Sequence, residues 1–128
     1  MIALDTNVLV RYLTQDDVAQ SAKAGALIED ELTPQNPGFV SSVVLAEIIW
    51  VLQGPYAVPR GEMIRIVGFL LGARTLVVEH AAAAARALRR SGGDLADGLI
   101  HEIGKSAGCA KTVTFDRKFA KAEGVALV

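Results

Sequence analysis

Apolar positions along the chain follow two alternating rhythms. Short runs rich in apolar and β-branched residues (Ile2 to Leu4, Phe39 to Ser41, Thr75 to Val78, Thr112 to Phe115 and Val125 to Val128) read as strands. Between them lie longer stretches of helical period, over about Val8 to Leu13, Val18 to Leu32, Val43 to Leu52, Glu62 to Leu71, Ala81 to Arg90, Leu95 to Ala107 and Arg117 to Ala122. Turn residues punctuate the pattern: Pro34 and Pro37, Gly54-Pro55 and Pro59, and Ser91-Gly92-Gly93 immediately before the Leu95 helix. Strands alternating with helices predict an α/β fold, a parallel sheet covered by helices on both faces. No repeat or low-complexity linker interrupts the chain, and the alanine run Ala81 to Ala85 reads as helix, so residues 1–128 are expected to form one domain.

Composition narrows this picture. With 128 residues, 52% of them hydrophobic, the chain can build one sizeable core. Its longest apolar runs, Val43 to Ile49 and Ile64 to Leu71, are interrupted by Glu or Gly and fall short of the roughly 20 residues that span a bilayer. The opening Met1-Ile2-Ala3-Leu4-Asp5 carries an acid where a secretory signal needs a basic start, so the cytoplasm is the expected location. The lone Cys109, between Gly108 and Ala110, reads as a small core residue rather than a nucleophile. A net charge of -1 argues against a protein that grips nucleic acid by bulk positive charge. Eight of the thirteen basic residues nevertheless follow residue 80, which allows a local basic rim in the second half.

In parallel α/β sheets ligands sit at the carboxyl ends of the strands. Asp5 directly follows the strand Ile2 to Leu4, and Asp116 directly follows Thr112 to Phe115, so both acids are expected at that edge. Each also has a structural reading as a helix N-cap. Glu47 sits in Val43-Val44-Leu45-Ala46-Glu47-Ile48-Ile49-Trp50-Val51-Leu52, a helix with almost no polar face, which predicts a partly buried carboxylate that needs a partner or a metal. Asp94, Asp97 and His101 share a helix face opposite Leu95, Leu99 and Ile103; Asp94 is a natural N-cap, whereas Asp97 has less structural excuse, and His101 reads as a solvent-facing residue. Carboxylates gathered in one crevice repel, so a cation must hold them. Oxygen-only ligands select Mg²⁺, with Mn²⁺ as a substitute, and such ions activate water for phosphodiester hydrolysis.

With these residues in hand, the sequence resembles the PIN-domain family, and within it the VapC-type toxins of toxin-antitoxin operons. The likeness rests on Ile2-Ala3-Leu4-Asp5-Thr6-Asn7-Val8-Leu9-Val10-Arg11-Tyr12-Leu13, on Ser41-Ser42-Val43-Val44-Leu45-Ala46-Glu47, on Asp94-Leu95-Ala96-Asp97-Gly98-Leu99-Ile100, and on Thr112-Val113-Thr114-Phe115-Asp116-Arg117-Lys118-Phe119. The resemblance implies a three-layer PIN-like domain whose central parallel sheet has four to five strands. It implies that Asp5, Glu47, Asp97 and Asp116 are catalytic metal ligands, with Asp94 as an accessory acid and Thr6 and Thr114 as water or phosphate contacts. It further implies a metal-dependent endoribonuclease, an RNA substrate, a homodimer and a cognate antitoxin. Arg11, Arg117 and Lys118 lie near the acids in sequence and are candidates for phosphate contact. Gly98 departs from the family, where Ala or Cys is frequent.

Other classes fit less well. A haloacid-dehalogenase-type enzyme needs a second Asp where Asn7 stands, a receiver domain needs a mid-chain strand-end Asp, and an NTPase needs a Gly-rich loop ending in Lys-Ser or Lys-Thr. A flap-endonuclease-like enzyme needs DNA-clamping elements for which this chain is too short. The remaining alternative is a catalytically silent PIN-like module that binds RNA or protein, and metal-dependent cleavage separates the two.

Overall fold

Every paired strand in the protein runs parallel to its neighbour, so each must be reached through a helical crossover. The structure, a computed structural model, describes all 128 residues and divides into two compact units, Met1–Glu79 and His80–Val128. The first unit runs β1 (Ile2–Ala3), α1 (Thr6–Thr14), α2 (Val18–Gly25), a π-helical turn (Ala26–Glu31), β2 (Gly38–Val40), α3 (Ser42–Gln53), α4 (Arg60–Gly72) and β3 (Leu76–Val78). Its sheet has the order β1-β2-β3, with Ile2 opposite Gly38 and Gly38 opposite Leu76. The second unit runs α5 (Ala81–Leu88), α6 (Leu95–Ser106), β4 (Thr112–Thr114), a 3-10 turn (Phe119–Lys121) and β5 (Val125–Leu127), with Thr112 opposite Val125.

The expected α/β architecture is present, and all five strands fall where the alternation places them. They form hydrogen-bonded ladders of three and of two strands rather than one ladder. Two helices are shorter than their period suggests. The stretch from Val18 is α-helical only to Gly25 and then widens, the Leu32 N–H reaching back five residues to the Leu27 carbonyl. Arg117 to Ala122 yields a single 3-10 turn, closed off by Gly124 in the left-handed region at φ 79°. Cys109 is not a core residue: it is exposed, just past Gly108, whose φ of 92° ends the α6 segment. No helix is long and apolar enough to cross a membrane.

The two units are filled differently. In the first, Leu9, Leu45, Ile48, Leu52, Met63 and Leu70 are fully buried, long side chains from three helices. In the second the buried apolar residues are mostly small, with Ala83, Ala84 and Ala87 on one face of α5. Small residues let helix axes approach closely, so the α5–α6 pair is held by short-range packing and, as described below, by ion pairs.

Gly38 illustrates how tightly the first sheet is packed. A Cβ there would lie 2.7 Å from Leu4 Cδ1, 2.9 Å from Leu32 Cδ1 and 3.1 Å from Leu76 Cδ2, all on buried side chains. Gly38→Ala is therefore expected to destabilise the protein by about 1–3 kcal/mol, because three packed leucines must move at once. Chemical denaturation checks this; an unchanged midpoint would mean that the leucines have room to shift.

Candidate active site

At the carboxyl edge of the first sheet, residues from all three strand ends meet the starts of the helices. Asp5 occupies the N-cap position of α1 with extended backbone angles, yet its carboxylate makes no capping hydrogen bond and is exposed. Its neighbour Thr6 is buried, and the Thr6 Oγ1 has no hydrogen-bond partner. After β2, the Ser41 hydroxyl accepts the Val44 N–H at 3.2 Å and caps α3, while the Ser42 hydroxyl is buried without a partner. After β3, the Glu79 carboxylate accepts the Ser42 N–H at 2.9 Å. A carboxylate at the start of α3 interacts favourably with the helix dipole and anchors the helix that carries Glu47. Ser42 and Glu79 were missed in the sequence, although the rule that singled out Asp5, polar residues directly after a strand, covers both.

Glu47 corrects an expectation. It is exposed rather than partly buried, because α3 buries only Leu45, Ile48, Ile49 and Leu52 and leaves Val43 and Trp50 on its solvent face, at 68% and 77% exposure. The apolar sequence concealed an outward face. Arg11 is already engaged: it donates to Gln20 Oε1 at 2.8 Å and to Asp16 Oδ1 at 3.1 Å, and meets the Tyr56 hydroxyl at 3.3 Å. The hydrogen bonds from Tyr56 and Thr14, with the charge of Arg11, hold the Asp16 carboxyl down at about 2.

The second unit brings three predicted acids to one groove of about 990 Å³, lined among others by Asp94, Asp97, Asp116, His101, Lys105 and Lys118. Asp94 is the N-cap of α6, its Oδ1 accepting the Asp97 N–H at 3.0 Å. Asp97, one turn in, is half-buried, and its pKa is raised by burial and then by the nearby charges of Asp94 and Asp116. Asp116 Oδ1 accepts the N–H groups of Lys118 at 2.9 Å and Phe119 at 3.1 Å, which leaves Oδ2 to other partners. The Thr114 hydroxyl accepts the Asp116 N–H at 3.0 Å and so fixes the turn that presents the acid. Arg117 and Lys118 are exposed.

His101 is buried, not solvent-facing. Its Nδ1 lies 2.8 Å from Thr112 Oγ1, and its ring packs on Gly124, where a Cβ would stand 2.9 Å from Cε1. The imidazole thus ties α6, which carries Asp94 and Asp97, to β4, which leads to Asp116. Gly98 has a local reason as well: a Cβ there would sit 3.2 Å from Arg90 Cδ, so glycine lets the Arg90 side chain cross α6.

The PIN-domain profile matches residues 2–125. The chain belongs to the PIN-domain family. No individual curated protein matches it. PIN domains are generally metal-dependent nucleases, and PIN nucleases bind RNA. The candidate donors here are carboxylate and hydroxyl oxygens, a set suited to hard divalent cations, and two buried hydroxyls beside Asp5 and Ser41 lack partners. No three Asp, Glu, His or Cys side chains stand close enough to chelate an ion as they lie.

Two outcomes follow for this PIN domain. Because the folded state raises the Asp97 pKa above 3.8, ionised Asp97 weakens folding at neutral pH, and the penalty disappears once the acid is protonated. Asp97→Asn should therefore melt slightly higher than wild type at neutral pH in chelator, with the gap closing as pH falls below about 4; a lower melting temperature would contradict the repulsion. Burial, and then the charge of Arg90, lower the His101 pKa below 6.5, so its contribution is complete above 6.5 and lost as pH falls through the folded value. Melting temperature should decline on acidification from neutrality, and less steeply in His101→Gln.

Proposed function

We propose that this PIN domain, acting as a single domain over residues 1–128, is an endoribonuclease dependent on Mg²⁺, with Mn²⁺ as a substitute. In this reading Asp5, Glu47, Asp97 and Asp116 are the catalytic metal ligands and Asp94 the accessory acid. The observation that carries it is Asp97: a half-buried carboxylate left beside two others, its proton affinity raised by burial and by their charge, is a group that a divalent cation would relieve. The free carboxylate of Asp5, next to the buried and unpartnered Thr6 hydroxyl, supports the same reading.

When bound, such an ion activates water and stabilises the oxygens that attack and leave in phosphodiester hydrolysis. The chain's own residues hold the acids in position. Thr114 fixes the Asp116 turn, His101 ties the Asp97 helix to β4, and Glu79 anchors the Glu47 helix. Thr6 and Thr114 are assigned to water or phosphate, and Arg117 and Lys118 to phosphate; Arg11 would share its guanidinium with Asp16. We assign the protein as the cytoplasmic toxin of a toxin-antitoxin pair, active as a homodimer and covered by its antitoxin. Support comes from the resemblance to VapC-type toxins, and for an interface from the exposed Val43 and Trp50 of α3 and Phe69 of α4.

The test is cleavage of total RNA by purified protein with Mg²⁺, Mn²⁺ or EDTA, beside an identically prepared Asp5→Asn variant. Metal-dependent cutting by wild type only, with growth arrest on expression of wild type but not of the variant, is expected. Absence of cutting by folded, metal-loaded protein across many RNAs would instead favour the silent binding module.

A further inference from the structure

The formal charge of -1 hides a segregation. Residues 80–128 hold eight basic and five acidic side chains, net +3, whereas residues 1–79 hold five basic and nine acidic, net -4. Within the second unit the positive charge is organised around one buried carboxylate. Glu102, 4% exposed, receives Arg86 Nε at 2.9 Å, Arg90 Nη1 at 3.4 Å and Lys105 Nζ at 3.5 Å. Burial alone would raise the Glu102 pKa, but the Arg86 hydrogen bond and the charges of Lys105 and Arg86 outweigh it and hold the group below its usual value. One negative charge thus faces three cations, which leaves a fixed local excess of two.

Part of this charge, though not that of Arg86, reaches the groove that holds the acids, whose lining also includes Lys118, Glu102 and Glu123. Arg90, Lys105 and, from the 3-10 turn, Lys121 all line it. Asp97, His101 and Lys105 follow i, i+4, i+8 spacing along α6, so the helix rise puts about 12 Å between the Asp97 and Lys105 backbones. Lys105 therefore stands a long way along α6 from Asp97, whereas Arg90 runs past Gly98 to Glu102 and flanks the middle of the helix.

We propose that Lys105, Arg90 and Lys121 form a clamp for backbone phosphates of single-stranded RNA in the groove that holds Asp97, with Arg90 and Lys105 held by Glu102. The proposal rests on the ribonuclease reading for its substrate, and it adds where the strand lies relative to the acids. A single free phosphate would engage one cation of such a groove, whereas a strand that passes Asp97 and reaches Lys105 engages several. Contacts of this kind position a strand without reading its sequence, so target choice lies elsewhere.

The test measures binding of a fluorescein-labelled single-stranded RNA of about 12 nucleotides by anisotropy against salt concentration. It uses the full chain carrying Asp97→Asn, in Mg²⁺, so that the RNA stays intact. Each phosphate contact contributes about 0.7 to the slope of log affinity against log salt for a single strand. Lys105→Gln and Lys121→Gln should each flatten that slope by about 0.7, and Arg90→Gln by a similar amount. Lys111→Gln, an exposed cation of the same unit that does not line the groove, should leave the slope unchanged. Melting temperatures of Lys105→Gln and Lys121→Gln near the parent value would show that the changes are not unfolding. No measurable binding, unchanged slopes at Lys105 and Lys121, or an equal drop in Lys111→Gln would overturn the clamp. Cleavage by wild type with such a result would overturn the clamp alone, and the expected slopes without any cleavage would overturn only the nuclease reading.

Discussion

Parallel pairing is the constraint from which the rest of the candidate site follows. A parallel ladder carries every strand in the same direction, so each carboxyl end reaches one edge and the chain must leave that edge through a helix or turn. Polar residues placed directly after a strand are thereby concentrated at an edge without any long-range instruction. In the first unit this gathers Asp5, Thr6, Ser41, Ser42 and Glu79 at three neighbouring strand ends. In the second it sets Asp116 directly beyond β4, in a turn fixed by Thr114 and by the Lys118 and Phe119 amides.

Charge placement is a second layer of order, one that formal charge obscures. The second unit buries Ala83, Ala84 and Ala87 on α5, and Glu102 of α6 draws Arg86, Arg90 and Lys105 around one buried carboxylate. A buried carboxylate is tolerable because each of its oxygens has a cationic partner. The same arrangement sets Arg90 and Lys105 at a groove lined by five carboxylates, which joins the packing of two helices to the field a polyanion would meet.

The elements and the strand-end acids were legible in the sequence because both are local properties. Hydrophobic period located every strand, and Asp5 and Asp116 stand where a strand gives way to a turn. Features set by tertiary packing were not legible. Glu47 lies in an almost wholly apolar helix, and which side of such a helix meets solvent is decided by its neighbours rather than its sequence. His101 shares a helix face with Asp94 and Asp97, yet the approach of β4 and Gly124 converts that face into a buried contact. The Glu102 cluster joins side chains 12 and 16 residues apart, a distance that no motif spans. Cys109 looked like a core residue because its neighbours are small, whereas those neighbours make an exposed turn.

Gly98 draws together sequence, packing and charge. Its missing side chain is the passage through which Arg90 reaches Glu102. Positions 90 and 98 are consequently coupled: alanine at 98 gains helix propensity but crowds the arginine stem, whereas shortening residue 90 removes the crowding along with the ion pair. The effect of either substitution therefore depends on which residue the other position holds, so a helix glycine that looks like a local weakness is matched to the arginine that passes it.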